Sequence, residues 1–147
     1  MMADDSTRSE LLAVMTQWAQ AYTRKEVDTL LDLCVPDDSL LMVGTGDDEV
    51  RVGRESFRAG LERDFAQCSN FSLSYSDLHA FANGDAAWIC ATCQARATVG
   101  AETIALSGRY TAVLEKRDGR WLFAHAHLSV PDAAQEAGQS FPTPDAG

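Results

Sequence analysis

The chain has 147 residues, 46% hydrophobic and 23% charged, which is enough for one domain with a core of its own. Its formal net charge of −10 argues against nucleic acid and anionic membrane as partners, because both are held by basic patches. No run of 18 apolar residues exists, and MMADDSTRSE lacks the basic and apolar regions of a leader peptide, so the expected location is cytoplasmic.

In chain order, Thr7 and Glu10 form a capping-box pattern, with a hydroxyl and a carboxylate each able to satisfy a free backbone N–H. A helix is predicted from there to Lys25, with Leu11, Val14, Met15, Trp18, Ala21 and Tyr22 on one stripe. A short helix over 27–34 follows, ended by Pro36-Asp37-Asp38. Leu40 to Val43 reads as a strand, Gly44 to Asp48 as a loop, and Glu49 to Val52 as a second short strand. A third helix over 54–67 buries Phe57, Leu61 and Phe65.

Phe71 to Ala82 reads as a strand whose apolar residues are first odd, then even. That change predicts a β-bulge near Ser76–Asp77. Asn83-Gly84 predicts a type I′ hairpin, and Asp118-Gly119 marks another tight turn. Three antiparallel strands then run between about Asp85 and Val130. Helices first and an antiparallel sheet last imply an α+β fold, with the sheet covered on one face by the helices. Residues 1–6 are expected as a flexible N-terminus, 7–131 as the domain, and 132–147 as a tail of low intrinsic order in which Phe141 alone could dock.

Alternation splits the three strands into two faces. Ala87, Ile89, Ala91, Cys93, Ala95, Tyr110, Ala112, Leu114, Leu122, Ala124, Ala126 and Leu128 form a small, apolar one. Trp88, Arg109, Trp121, Phe123, His125 and His127 belong to the mixed one. Cys34, Cys68, Cys90 and Cys93 show no zinc spacing and read as ordinary buried thiols. The two of Cys90-Ala-Thr-Cys93 point to opposite faces of a strand. No metal or other cofactor is expected.

Several stretches in this order resemble the SnoaL-like group of the nuclear transport factor 2-like superfamily. They are the helix with Trp18 and Tyr22, Glu26 to Leu31, the Gly44 to Glu49 loop leading to Gly53-Arg54-Glu55, Arg109-Tyr110-Thr111, and Asp118 to Trp121 close to His127-Leu128-Ser129. The resemblance covers about 7–131. It implies a cone-shaped curved sheet wrapped around a long first helix, with a pocket at the open end. The superfamily holds isomerases, dehydratases, polyketide cyclases and non-catalytic assembly domains, so the fold alone selects none of them. Its isomerase uses a carboxylate near the position of Val43, a Tyr on the first helix and an Asp on the sheet. Tyr22 matches the Tyr; Val43 carries no carboxylate and the apolar face no Asp, so the acid–base pair is missing.

The expected pocket is therefore Trp18, Tyr22, Met42, Phe65, Tyr110 and Leu128, holding a small, largely apolar ligand. Tyr22 and His127 are the candidate catalytic residues of an enzyme reading of isomerase, dehydratase or cyclase type. The mixed face, with Trp88, Arg109, Trp121, Phe123, His125 and His127, is expected to be a homodimer interface, since aromatics with Arg suit one and an exposed apolar patch does not suit a monomer. Asp47, Asp48 and Glu49 read as a solvated acidic loop, with Arg51, Arg54 and Arg58 as local charge partners.

Overall fold

A computed structural model gives the fold and describes residues 1–144. The helices are α1 (Asp5–Thr23), α2 (Val27–Asp32) and α3 (Arg54–Ala66). The strands are β1 (Leu41–Val43), β2 (Val50–Val52), β3 (Asn70–Asn83), β4 (Ala86–Val99), β5 (Glu102–Arg117) and β6 (Arg120–Ser129). They form one curved sheet in the order β2-β1-β6-β5-β4-β3. All neighbours are antiparallel except β1 and β6, which run parallel. The expected α+β cone is thus the fold observed.

Helix α1 starts earlier than the capping box predicts. Asp4 is the N-cap, its Oδ1 accepting the Thr7 N–H at 2.7 Å. A carboxylate there suits both the free N–H groups and the positive end of the helix. Glu10 is engaged elsewhere, accepting the indole N–H of Trp121 at 2.8 Å. Within the segment expected to be flexible, Ala3 donates to Ala80 O and Ala82 to Met1 O, which adds the chain start to the free edge of β3. Such an edge offers unpaired backbone groups to any nearby extended segment. In the tail, Thr143 N–H reaches Ala134 O, and Phe141 is 80% exposed and docks nowhere.

Two bulges bend the sheet. In β3 the register shifts between Ser76 and His79, and Asp77 has φ 50°, as the parity change predicts. Phe71, Leu73 and Tyr75 face inward before it; Leu78, Ala80 and Ala82 do so after it. A second shift, unforeseen, lies between β5 and β6. Val113 faces His125, but Leu114 faces Phe123, so Ala124 is the extra residue. Its effect is to turn Trp121 and Phe123 inward while His125 and His127 remain outward.

The hairpins also sharpen the turn prediction. The β3–β4 loop is Gly84-Asp85, closed by Asn83 paired to Ala86, and only Gly84 has positive φ (60°). That pattern is of the II′ kind, which needs glycine at the first position, and not the predicted I′. Asp118 and Gly119 both have positive φ, as I′ demands. The core lies between α1 and the concave face, where Trp18 stacks parallel to Phe57 at 6.1 Å and meets Phe123. Cys34 and Cys93 are buried as expected. Cys68 is half-buried and Cys90 is exposed, which corrects the reading of four buried thiols: Cys90 lies on the convex side of β4.

Candidate functional site

Between α1, α3 and the concave face lies a cavity of about 460 Å³, within the range of small-molecule pockets. All six residues expected to line a pocket line this one: Trp18, Tyr22, Met42, Phe65, Tyr110 and Leu128. Helical spacing puts Trp18 and Tyr22 one turn apart on α1, with rings 5.5 Å apart. Tyr22 then meets Phe65 of α3 at 5.7 Å and Phe71 of β3 at 5.8 Å. The wall continues along β4 and β5 through Cys93, Ala95, Ala97, Ile104 and Leu106 toward the Gly100 hairpin. The exposed Val99 and Ile104 there mark the mouth. Small residues on β4 leave the space that larger ones would fill.

Tyr75 lines the same cavity and sequence reasoning left it out of the site. Its inward parity before the β3 bulge was the available signal. Its ring lies 4.9 Å from that of Tyr110. The hydroxyls of Tyr75 and Tyr110 and the indole nitrogen of Trp18 are buried, and none has a hydrogen-bond partner among the described residues. Each such group costs about 1–3 kcal/mol while unpaired. Burial pushes the Tyr22, Tyr75 and Tyr110 phenols up, and next in line come the Asp64 charge for Tyr22, Tyr110 for Tyr75 and Tyr22 for Tyr110. Burial likewise raises the Cys93 thiol to about 11.

Charged groups gather at the rim. Glu49, Arg51 and Asp64 line the cavity near α3 and the β1–β2 loop. Arg51 makes a two-pronged pair with Asp64, at 3.0 and 3.1 Å, and its side chain is 12% exposed. Arg63 holds Asp48 at 2.9 Å and Glu49 at 3.2 Å. Arg58 pairs with Asp28, and Arg54 donates to the carbonyls of Leu31 and Val35. Asp64 was missed from sequence; it flanks the Phe57, Leu61, Phe65 stripe of α3. Among the described residues, no group of three His, Cys, Asp or Glu side chains converges as a metal site requires.

The candidate His127 does not reach the cavity. It pairs with Thr111 and Val43 on the convex side, opposite Ala126 and Leu128. His125 shares that side, 6.4 Å away between ring centroids, and its Nδ1 lies 2.8 Å from Leu41 O. Trp121 and Phe123 must be withdrawn from the expected interface. The β6 bulge buries both: Phe123 lies against Trp18, and Trp121 sits under Lys116 and against Glu10. Trp88 keeps its outward place, 39% exposed and stacked on Phe81 at 5.9 Å, with Arg109 on the same face, bonded to Ser129.

A family model described as SnoaL-like domain matches residues 11–133, most of the chain. The chain belongs to the SnoaL-like family. Solved structures agree on the fold. A protein of Streptomyces avermitilis, provisionally named a dehydratase of the nuclear transport factor 2-like family, is 19% identical with TM-score 0.80, over 89% of this chain and 100% of its own. A Xanthomonas campestris protein, provisionally named a calcium/calmodulin-dependent protein kinase II association domain, is 24% identical with TM-score 0.74, over 84% and 87%. A Nostoc punctiforme protein of unknown function with a cystatin-like fold is 13% identical with TM-score 0.73, over 90% and 97%. No curated protein matches the sequence. At these identities the likeness of the SnoaL-like chain to solved structures concerns the fold alone. No helix of the described chain is long and apolar enough to cross a membrane.

Proposed function

We propose that this SnoaL-like protein binds a small, largely apolar molecule inside its cone. The observation that carries the reading is the cavity of about 460 Å³, walled by aromatic and small apolar side chains from α1, α3, β3, β4 and β5. An assembly module whose cone is only core has no need of that space. The test is titration with the neutral fluorophore N-phenyl-1-naphthylamine. Binding with enhanced emission is expected for the native chain, and Ala95→Trp, which projects an indole into the cavity, should abolish it. Absent binding, or binding indifferent to Ala95→Trp, overturns the reading.

An enzyme reading of dehydratase or cyclase type is favoured by one observation, that the loop carboxylate Glu49 and the phenol of Tyr22 line the same cavity. Val43, where the isomerase base would stand, also lines it and carries no carboxylate. The convex face bearing Trp88, Arg109, His125 and His127 is proposed to meet a second copy of the chain, and the protein to act in the cytoplasm with its four cysteines as free thiols.

A further inference from the structure

The outer edge of β3 is occupied at most points and open at one. Beyond the bulge, Ala80 O accepts from the Ala3 N–H, and the Ala82 N–H donates to Met1 O. At the bulge, Leu78 O accepts from Arg8 Nη1 at 3.2 Å. Before it, the Leu73 N–H reaches Thr23 Oγ1 at 3.3 Å. In an antiparallel ladder every second residue turns both backbone groups to one side, so Tyr75 turns its N–H and C=O outward as Leu73 does. No hydrogen bond among the described residues takes these two groups of Tyr75 or the Leu73 carbonyl. They open on a groove of about 610 Å³ between this edge and α1. Leu12, Met15 and Ala19 give the groove an apolar wall, and Arg8 and Arg24 stand at its two ends, with Asp77 the one acid on its lining. Among the described residues, neither arginine has a carboxylate in ion-pair range.

We infer that this groove receives the segment after β6 of a second copy of the chain, added to the β3 edge as a further strand. Met1 to Ala3 already show that the same edge takes an extended segment. The segment fits in charge, since residues 131–147 hold Asp132, Glu136 and Asp145 and no Lys or Arg. It fits in its side chains. Opposed residues of a sheet share a face, so Phe141 of the second copy, set antiparallel against Tyr75, points toward the apolar wall of α1. It fits in its backbone as well. Phe141 then exchanges two hydrogen bonds with Tyr75, and Thr143 donates to Leu73 O while the Leu73 N–H keeps Thr23. Pro142 and Pro144 fall where the backbone nitrogen points away from β3, the place an edge strand tolerates proline. The same direction carries Glu136 toward Arg8. On its own chain this segment folds back, Thr143 N–H on Ala134 O, and leaves Phe141 exposed, so its aromatic ring is offered to another molecule. The contact is separate from the convex face and from the ligand reading.

The test uses the full chain carrying Phe141→Ala, whose groove is left free, and a fluorescein-labelled peptide of residues 131–147. Fluorescence anisotropy should report binding, weakened about tenfold by Phe141→Ala in the peptide or by Leu12→Glu in the chain, as loss of a buried aromatic anchor does. Arg8→Glu/Arg24→Glu should weaken it too, and Trp88→Glu on the convex face should leave it unchanged. In the native chain, hydrogen exchange at the Tyr75 amide should slow as protein concentration rises; in Phe141→Ala it should not. Absent binding, or binding indifferent to Leu12→Glu, overturns the groove as the seat. Exchange equally slow at every concentration assigns the seat to the chain's own segment and overturns the second copy. Should Leu12→Glu fail to fold, the concentration dependence at Tyr75 decides.

Discussion

The rings of Trp18 on α1 and Phe123 on β6 lie 4.2 Å apart, tilted by 31°, and both are buried. This contact ties the long helix to the sheet at the closed end of the cone. It exists because Ala124 is bulged, for without that extra residue Phe123 would point to the convex side. Phe123→Ala should therefore cost roughly 3–5 kcal/mol in urea denaturation, as large-to-small core changes do. A loss below about 0.5 kcal/mol, usual for a surface site, would return Phe123 to the outer face.

The same bulge separates two tryptophans that strict alternation puts together. If the proposed dimer forms through the convex face, Trp88→Glu should give a monomer of native helicity on a sizing column. Trp121→Glu should unfold the chain in place of dissociating it, because its indole is buried against Glu10 and Lys116. An unchanged dimer in Trp88→Glu rejects the convex face as the interface.

Gly60 offers a test with an inverted sign. A glycine inside an exposed helix normally gains about 0.8–1.0 kcal/mol when changed to Ala. Here a Cβ would stand 2.2 Å from Arg51 Nε, so the guanidinium that grips Asp64 must move. Gly60→Ala should destabilise the native chain. In an Arg51→Ala background the same change should stabilise it. Equal effects in both backgrounds, read from a double-mutant cycle, would refute the coupling.

Alkaline pH should weaken the fold. Burial raises the Cys34 thiol from 9.0 to about 12 and the Cys93 thiol from 9.0 to about 11. Above pH 9 the unfolded chain loses these protons while the folded one keeps them. Their contribution is complete below pH 9, falls as pH rises, and is gone once the folded thiols ionise near 11 and 12. Each thiol withdraws up to about 1.4 kcal/mol per pH unit in its window. Urea midpoints at pH 8 and 10.5 check this, and Cys34→Ala/Cys93→Ala should flatten the decline. The buried phenols of Tyr22, Tyr75 and Tyr110 act in the same direction from pH 10 upward.

Local chemistry is legible in this sequence wherever one residue suffices to decide it. The stripe of Leu11, Trp18 and Tyr22, the turns at Gly84 and Asp118-Gly119, and the β3 bulge at Asp77 all follow from spacing and backbone preference. Alternation on β3 and β4 likewise put Phe71, Cys93 and Ala95 inside. The β6 bulge is less plain in sequence than that of β3, because apolar residues fill four consecutive positions from Trp121 to Ala124 before the alternation resumes at Ala126 and Leu128. Reading the strand as one unbroken alternation hid it.

By itself, then, the sequence determined which segments become helix or strand and pointed to six of the side chains that line the space. Hydrophobic period and turn residues act over a few neighbours, and those neighbours are written in order. Only the tertiary structure decided that Trp121 and Phe123 turn inward, that Asp64 and Arg51 close the cavity rim, and that Tyr75 and Tyr110 meet with their hydroxyls unpaired. These depend on a one-residue slip between β5 and β6 and on contacts between residues 13 to 35 positions apart. Register and hydrogen-bond satisfaction are properties of the packed sheet, where one inserted residue reverses every side chain beyond it.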